Sequence, residues 1–268
     1  MWKKMVQSAL ASVKNSPQKT GFAFEQLTIQ IGPHTLLSNL TFQHPSHGLI
    51  ALMGKQGSGK STLLRALGGV LRPQHGIARL HGHNLADLTP LGRAKQIAWV
   101  SPYAQSYGRP SLYEFVMQGY RLQSGWKTVI PSEEADHAVR QALKAVNLLS
   151  AIKHPYHQLS NVQRHQAALA KAIVQNTPII LIDQADLVGN ISEQNEFMHL
   201  LQSQAQHGRC IVAMLDHPDH AQRYADSFIY IEDSRTVHVG PMHASTATIQ
   251  PPHTPQRLYT PDLALNAY

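Results

Sequence analysis

From Phe22 onward, apolar and polar residues alternate through FAFEQLTIQI and again through LLSNLTFQH, the period of half-buried antiparallel strands. The pattern then changes. GLIALMG (Gly48–Gly54) is apolar throughout and ends on glycine, and PIILID (Pro178–Asp183) and CIVAML (Cys210–Leu215) are similar unbroken runs. Such runs predict strands covered on both faces, as in a parallel sheet. Leucines at helical spacing fill Thr62–Leu67. Ser132–Leu149 reads as an amphipathic helix, with Ser132 as N-cap and Glu133 and Glu134 at the positive end of its dipole. A further helix is predicted over Asn161–Gln175, and Phe228–Ile231 with Thr236–Val239 flank Asp233 and Ser234 as a terminal hairpin. Residues 1–20 are polar and strand-poor, and after Gly240 the chain turns proline-rich and loses periodicity. The order of elements predicts an α/β sheet domain over 21–240, with an antiparallel β lobe and a helical subdomain inserted at about 103–175. An N-terminal extension (1–20) and a C-terminal tail (241–268) flank it.

Composition narrows the class. With 43% apolar and 15% charged residues over 268 positions, the chain is globular rather than disordered. Its single cysteine, Cys210, excludes an internal disulfide and a zinc site of paired cysteines. No apolar stretch approaches the roughly 20 residues that cross a bilayer. Lys3 and Lys4 precede MVQSALASV, but Gln7, Ser8 and Ser12 interrupt it, so a cytosolic extension is expected rather than a secretion signal. The net charge of +7 favours anionic partners without choosing among them. The pairs His81/His83 and His217/His220 lack a third ligand at zinc-like spacing.

Chemistry concentrates after the first apolar strand. Gly54, Lys55, Gln56, Gly57, Ser58, Gly59, Lys60, Ser61 and Thr62 satisfy the phosphate-loop pattern G-x-x-x-x-G-K-[ST], with a strand before and a helix after. Glycines let successive backbone N–H groups turn inward on phosphates, and the helix adds its positive end. In this arrangement Lys60 reaches the β and γ phosphates of ATP, and the Ser61 hydroxyl ligates Mg²⁺. Asp183, ending an apolar strand, is the acid expected on the Mg²⁺ side.

Between these elements, Leu159–Ala172 reads LSNVQRHQAALAKA. This segment resembles the ABC signature, LSGGQ followed by RQRVALARA, and stands at the proper place ahead of Asp183. The resemblance runs from about Phe22 to Gly240. LLRALGGVLRPQHGIARLHGHNL, RAKQIAWVSP and the closing LYTPDLALNAY are similar to the importer ATPases that energise uptake of iron chelates, haem and cobalamin. The resemblance implies the P-loop NTPase fold of an ABC ATPase. It also implies a homo- or heterodimer in which a second ATPase subunit's phosphate loop faces Ser160 across ATP. Membrane permease subunits would be direct partners and a solute-binding protein an indirect one, with the chain peripheral on the cytoplasmic face of the inner membrane. Nucleic acid is not an expected partner, because ABC proteins of that kind carry two ATPase domains on one chain and this length holds one.

The departures are as informative. The family's catalytic glutamate is here Gln184, and an uncharged amide is not a base at neutral pH. Asn161 and Val162 replace the two signature glycines, leaving Ser160 and Gln163. A glutamine expected after the strand at Val100 is Tyr103, with Gln105 two residues late; the adenine-stacking aromatic aligns with Ile31; the D-loop aspartate aligns with Asn190. The switch histidine followed by aspartate is inverted to Asp216-His217, so a one-residue shift would be needed to bring His217 to the γ-phosphate. Lys60, Ser61 and Asp183 are untouched. The sequence therefore reads as an ATP-binding importer subunit, of the iron-chelate type, with slow hydrolysis. Two alternatives stay open: a non-hydrolytic partner of a competent homologue, and a fully active ATPase that uses His217 as its base.

Overall fold

Alternation in the first strands produces a four-stranded antiparallel lobe. In the computed structural model, which describes residues 20–45, 47–101, 108–124, 132–186 and 189–242, β1 (Thr20–Ile31) pairs with β2 (His34–Pro45) and β4 (His75–Leu80). The short β5 (His83–Asn84) extends the sheet from β4. The β1 core face uses Phe22 and Phe24, then Leu27 and Ile29, a change from even to odd positions. The change falls at a register shift where Gln26 takes φ 52°; the bulge keeps the apolar residues on one face.

The unbroken apolar runs form the second sheet. Its order is β10 (Val237–Pro241), β9 (Ser227–Ile231), β3 (Gly48–Gly54), β8 (Cys210–Met214), β7 (Ile179–Ile182) and β6 (Ile97–Val100). All neighbours are parallel except the β9–β10 hairpin, which matches the predicted terminal hairpin. Each central strand divides its side chains between two cores. Leu49, Ala51, Met53, Ile180, Ile182, Ile211 and Ala213 face the helical side. Ile50, Leu52, Ile179, Leu181, Cys210 and Val212 face the β lobe and helix α1 (Lys60–Leu67). No polar position survives on such strands because neither face meets water.

A small helix α2 (Pro90–Ala94) leads into β6, and the helical subdomain follows as α3 (Leu112–Ser124), α4 (Glu133–Ala145) and α5 (Asn161–Gln175). Its expected start near 103 lies outside the described residues. Ser132 caps α4 as predicted, accepting from the Ala135 N–H, but the helix stops at Ala145 rather than running to Leu149. Asn147 enters the left-handed region (φ 58°), which ends the helical hydrogen-bond ladder. In α5 both ends match the prediction: a Ser160–Gln163 capping box starts it, and Asn176 stops it at φ 51°. Gly119 lets α3 and α5 cross with backbone in contact, since a Cβ there would collide with the Lys171 carbonyl. Helices α6 (Ile191–Gln206) and α7 (Pro218–Tyr224) complete the order. Among the described residues no helix is long and apolar enough to cross a membrane.

The core holds a histidine. His165 on α5 stacks on Phe197 of α6 with ring centroids 4.2 Å apart, and burial pushes its imidazole down to about 4. The folded state therefore keeps His165 neutral while the unfolded chain protonates it near 6.5, so stability is complete above that pH and is lost as pH falls from 6.5 to about 4. The loss amounts to about 3 kcal/mol at the acid end. In denaturant titrations across this window, His165→Phe should flatten the acid limb; an unchanged slope would remove His165 as its cause.

Candidate nucleotide site

β3 delivers the chain into a tight turn at Gly54. A Cβ there would strike the Ile231 carbonyl and come within 2.6 Å of Ser58 Oγ, so only glycine fits. Gly57 (φ 80°) and Gly59 (φ 104°) then adopt left-handed backbone that turns the loop into α1. Helix α1 has no side-chain cap and no acid in its first turn, which leaves its first N–H groups for an anion. Ser58 Oγ, inside the loop, is buried without a partner among the described residues.

Lys60 is folded into this cradle. Its Nζ donates to the Gly54 carbonyl at 2.7 Å and the Lys55 carbonyl at 3.3 Å. It also lies 3.1 Å from Asp216 Oδ1. The sequence offered His217 to this region; the side chain that arrives is the neighbouring Asp216. The His217 N–H instead donates to Asp186 Oδ2 at 2.8 Å, and its ring lies 5.7 Å from that of His220 at the start of α7. Asp186 is a residue that sequence reasoning missed. It is fully buried and accepts the Asp216 N–H on both oxygens at 3.1 Å, with His220 Nδ1 at 3.5 Å. Its only sequence signal was an acid three residues beyond Asp183.

Asp183 follows β7, anchored by its N–H on the Val100 carbonyl at 3.0 Å. Among the described residues Oδ1 is buried with no hydrogen-bond partner, and burial raises the carboxyl above its ordinary range while the Arg65 guanidinium pulls it down. Among the described residues the Ser61 hydroxyl has only the Met214 thioether at 3.7 Å. An orphaned carboxylate oxygen and a weakly bonded hydroxyl are oxygen donors of the kind that Mg²⁺ takes, so these residues fit it. Gln184, next along, takes φ 56°, in the left-handed region that non-glycine residues seldom occupy.

The signature residues are placed at the N-terminus of α5. Ser160 Oγ accepts the Gln163 N–H at 3.1 Å, and Gln163 Oε1 accepts the Ser160 N–H at 3.0 Å. Val162 lies over Gly189, where a Cβ would come within 2.8 Å of its Cγ2. Asn190 caps α6 in a second capping box with Glu193. Tyr103, Gln105 and the Ile31 side chain lie outside the described residues. Neither histidine pair belongs to a metal-holding cluster, since the described residues contain no group of three or more His, Cys, Asp or Glu so arranged. A pocket of about 400 Å³ lined by Asn176, Thr177, Pro178, Gln204, His207 and Arg209 lies at the opposite end of the sheet from the loop.

A parallel strand, a glycine-rich loop with inward lysine and a helix that starts uncapped define a phosphate-loop nucleotide-binding domain. Residues 37–186, more than half of the chain, match the sequence profile of the family described as ABC transporter. The ferric enterobactin transport ATP-binding protein FepC of Escherichia coli is 30% identical over 221 residues, covering 81% of this chain and 80% of that one. The hemin import ATP-binding protein HmuV of Nocardia farcinica is 29% identical, covering 80% and 73%. Among solved structures, cbiO1 of Clostridium perfringens, part of the ABC transporter complex cbiONQ, aligns with TM-score 0.74 at 21% identity over 84% of this chain and 90% of that one. The chain belongs to the ABC transporter family, and its fold is that of the family's ATPase cassettes.

Lys60→Ala tests the loop. Removing one charge-assisted contact is worth about 1.5–3 kcal/mol, so Mg·ATP affinity should fall on the order of tenfold or more. Equal affinities by calorimetry in wild type and variant would exclude Lys60 from phosphate binding.

Proposed function

We propose that the chain is the ATP-binding subunit of an ABC importer for an iron chelate, and that it binds Mg·ATP with slow hydrolysis. The observation that carries this reading is the cradle around Lys60, beside an Asp183 whose neighbour is an amide rather than an acid. The amides of Gly54, Lys55, Gln56, Gly57, Ser58 and Gly59 hold the phosphates, helped by Lys60 and by Thr62 in the first turn of α1. Ser61 and Asp183 hold Mg²⁺, which when bound neutralises phosphate charge. Ser160 would face the nucleotide of a second ATPase subunit from the exposed N-terminus of α5. The relatives named for ferric enterobactin and hemin support an iron-chelate cargo. Membrane permease subunits, with a solute-binding protein beyond them, would hold the chain peripherally at the cytoplasmic face of the inner membrane. The ATPase domain spans 21–240, its helical subdomain about 103–175, and 1–20 and 241–268 extend it.

Gln184 matches glutamate in size, so it can hydrogen-bond a water molecule but cannot take its proton. General-base catalysis is worth roughly 10²–10⁴ in rate. Gln184→Glu should therefore raise steady-state phosphate release, measured on the chain alone and with its permease. Recovery should be incomplete in a homodimer, because Val162 and Asn161 still stand where the signature has glycines. Wild-type turnover of several per second that disappears in His217→Ala would assign the base to His217 and end the slow-hydrolysis reading.

A further inference from the structure

An ammonium group has three N–H donors. Two of those on Lys60 are taken by the Gly54 and Lys55 carbonyls of its own loop, and the remaining side faces Asp216 Oδ1 at 3.1 Å. The lysine side chain is 10% exposed and the aspartate 40%, so the carboxylate closes the open side of the cradle from the solvent side. Its position is built rather than incidental. The Asp216 N–H bonds both oxygens of the fully buried Asp186, the His217 N–H bonds the same carboxylate, and the Leu215 N–H bonds the Leu52 carbonyl at 3.0 Å. Three successive N–H groups thus fix the turn after β8, and Pro218 stiffens its exit.

Topology says what that position is. β8 lies between β3 and β7, so Asp216 leaves the sheet between the phosphate loop and Asp183. A polyphosphate whose inner groups lie on the loop amides must run its outer end along this edge toward Asp183. Lys60 is the group that meets that outer end. The Asp216 carboxylate already occupies the face of Lys60 that the outer phosphate needs.

We propose that Asp216 is a specificity-determining residue, an internal counter-ion of Lys60 that disfavours the terminal phosphate of a nucleoside triphosphate relative to a diphosphate. ATP carries about one more negative charge than ADP and places it nearest the aspartate, where like charges repel. To bind fully, ATP must open the Lys60–Asp216 pair; ADP meets it less directly. The inference rests on the phosphate loop being a nucleotide site, and the test keeps the two apart.

Mg·ATP and Mg·ADP are titrated by calorimetry into the full chain as wild type, Asp216→Asn, Asp216→Ala and Lys60→Ala. Asp186 anchors the backbone of residue 216 and not its side chain, so the turn should survive both aspartate variants; thermal melts check this. Both should tighten ATP by about tenfold and ADP by less than about threefold. An unchanged ratio of ATP to ADP affinity in the two aspartate variants would overturn the proposal. So would weaker ATP binding, which would make Asp216 a support for the nucleotide or its cation. If Lys60→Ala left both nucleotides unaffected, the loop assignment itself would fail, whatever the aspartate variants did.

Discussion

Parallel pairing brings the carboxyl ends of strands to one edge of a sheet, and in this chain that edge carries the chemistry. β3 pairs with β8 through Leu52 and Met214, and β8 with β7 through Ala213 and Ile182. The phosphate loop, Asp216 and Asp183 are the next groups out from those pairs, so the register that buries the strands also aligns the site. The two demands are locked together. Every residue of β7 and β8 is buried, with alternate side chains in different cores, and a slip of one residue would exchange the faces and move the acids along the edge.

The strands were legible because burial on both faces leaves no room for polar residues, and that shows as an unbroken apolar run. Helix α5 was legible because its stop and start are local chemistry, a serine and glutamine three apart and an asparagine at the end. The end of α4 was missed: Asn147 is the same kind of stop as Asn176, but apolar residues continue past it through Leu148 and Leu149 and mask it. The phosphate loop could be read directly, as its function depends on backbone geometry that only a few residue types permit. The Lys60–Asp216 pair could not, because it joins residues far apart in sequence through strand order. Nor could the fully buried Asp186: its role is to accept N–H groups from a turn that the sequence places thirty residues later.

The site combines a complete cradle with unusual neighbours. The loop glycines turn the backbone inward, Lys60 is folded into the loop, and among the described residues Asp183 Oδ1 has no hydrogen-bond partner. Around them stand an amide at Gln184, a carboxylate at Asp216 and a branched side chain at Val162, which already packs over Gly189 of its own chain. Gln184 and Val162 bear on what can be done with a bound nucleotide, and Asp216 on which nucleotide is bound. Charge, proton acceptance and close backbone approach are separate physical properties, and the departures touch all three.

The bare crossing at Gly119 has a mechanical consequence. Backbone meets backbone at Gly119, Lys171 Nζ of α5 donates to Gln118 Oε1 of α3 at 3.0 Å, and at its far end α5 is tied to the sheet edge by Gln175 Nε2, which donates to the Ala94 carbonyl at 2.6 Å and the Ile97 carbonyl at 3.3 Å. The two helices are thus built as one stiff unit, and any rigid tilt of that arm with Gln175 as its hinge would be amplified along α5. At 1.5 Å per residue the arm reaches about 22 Å to Ser160, so a tilt of about 10° at the hinge sweeps its tip through about 4 Å. A small rotation at the sheet edge would become a displacement larger than a hydrogen bond at the signature end.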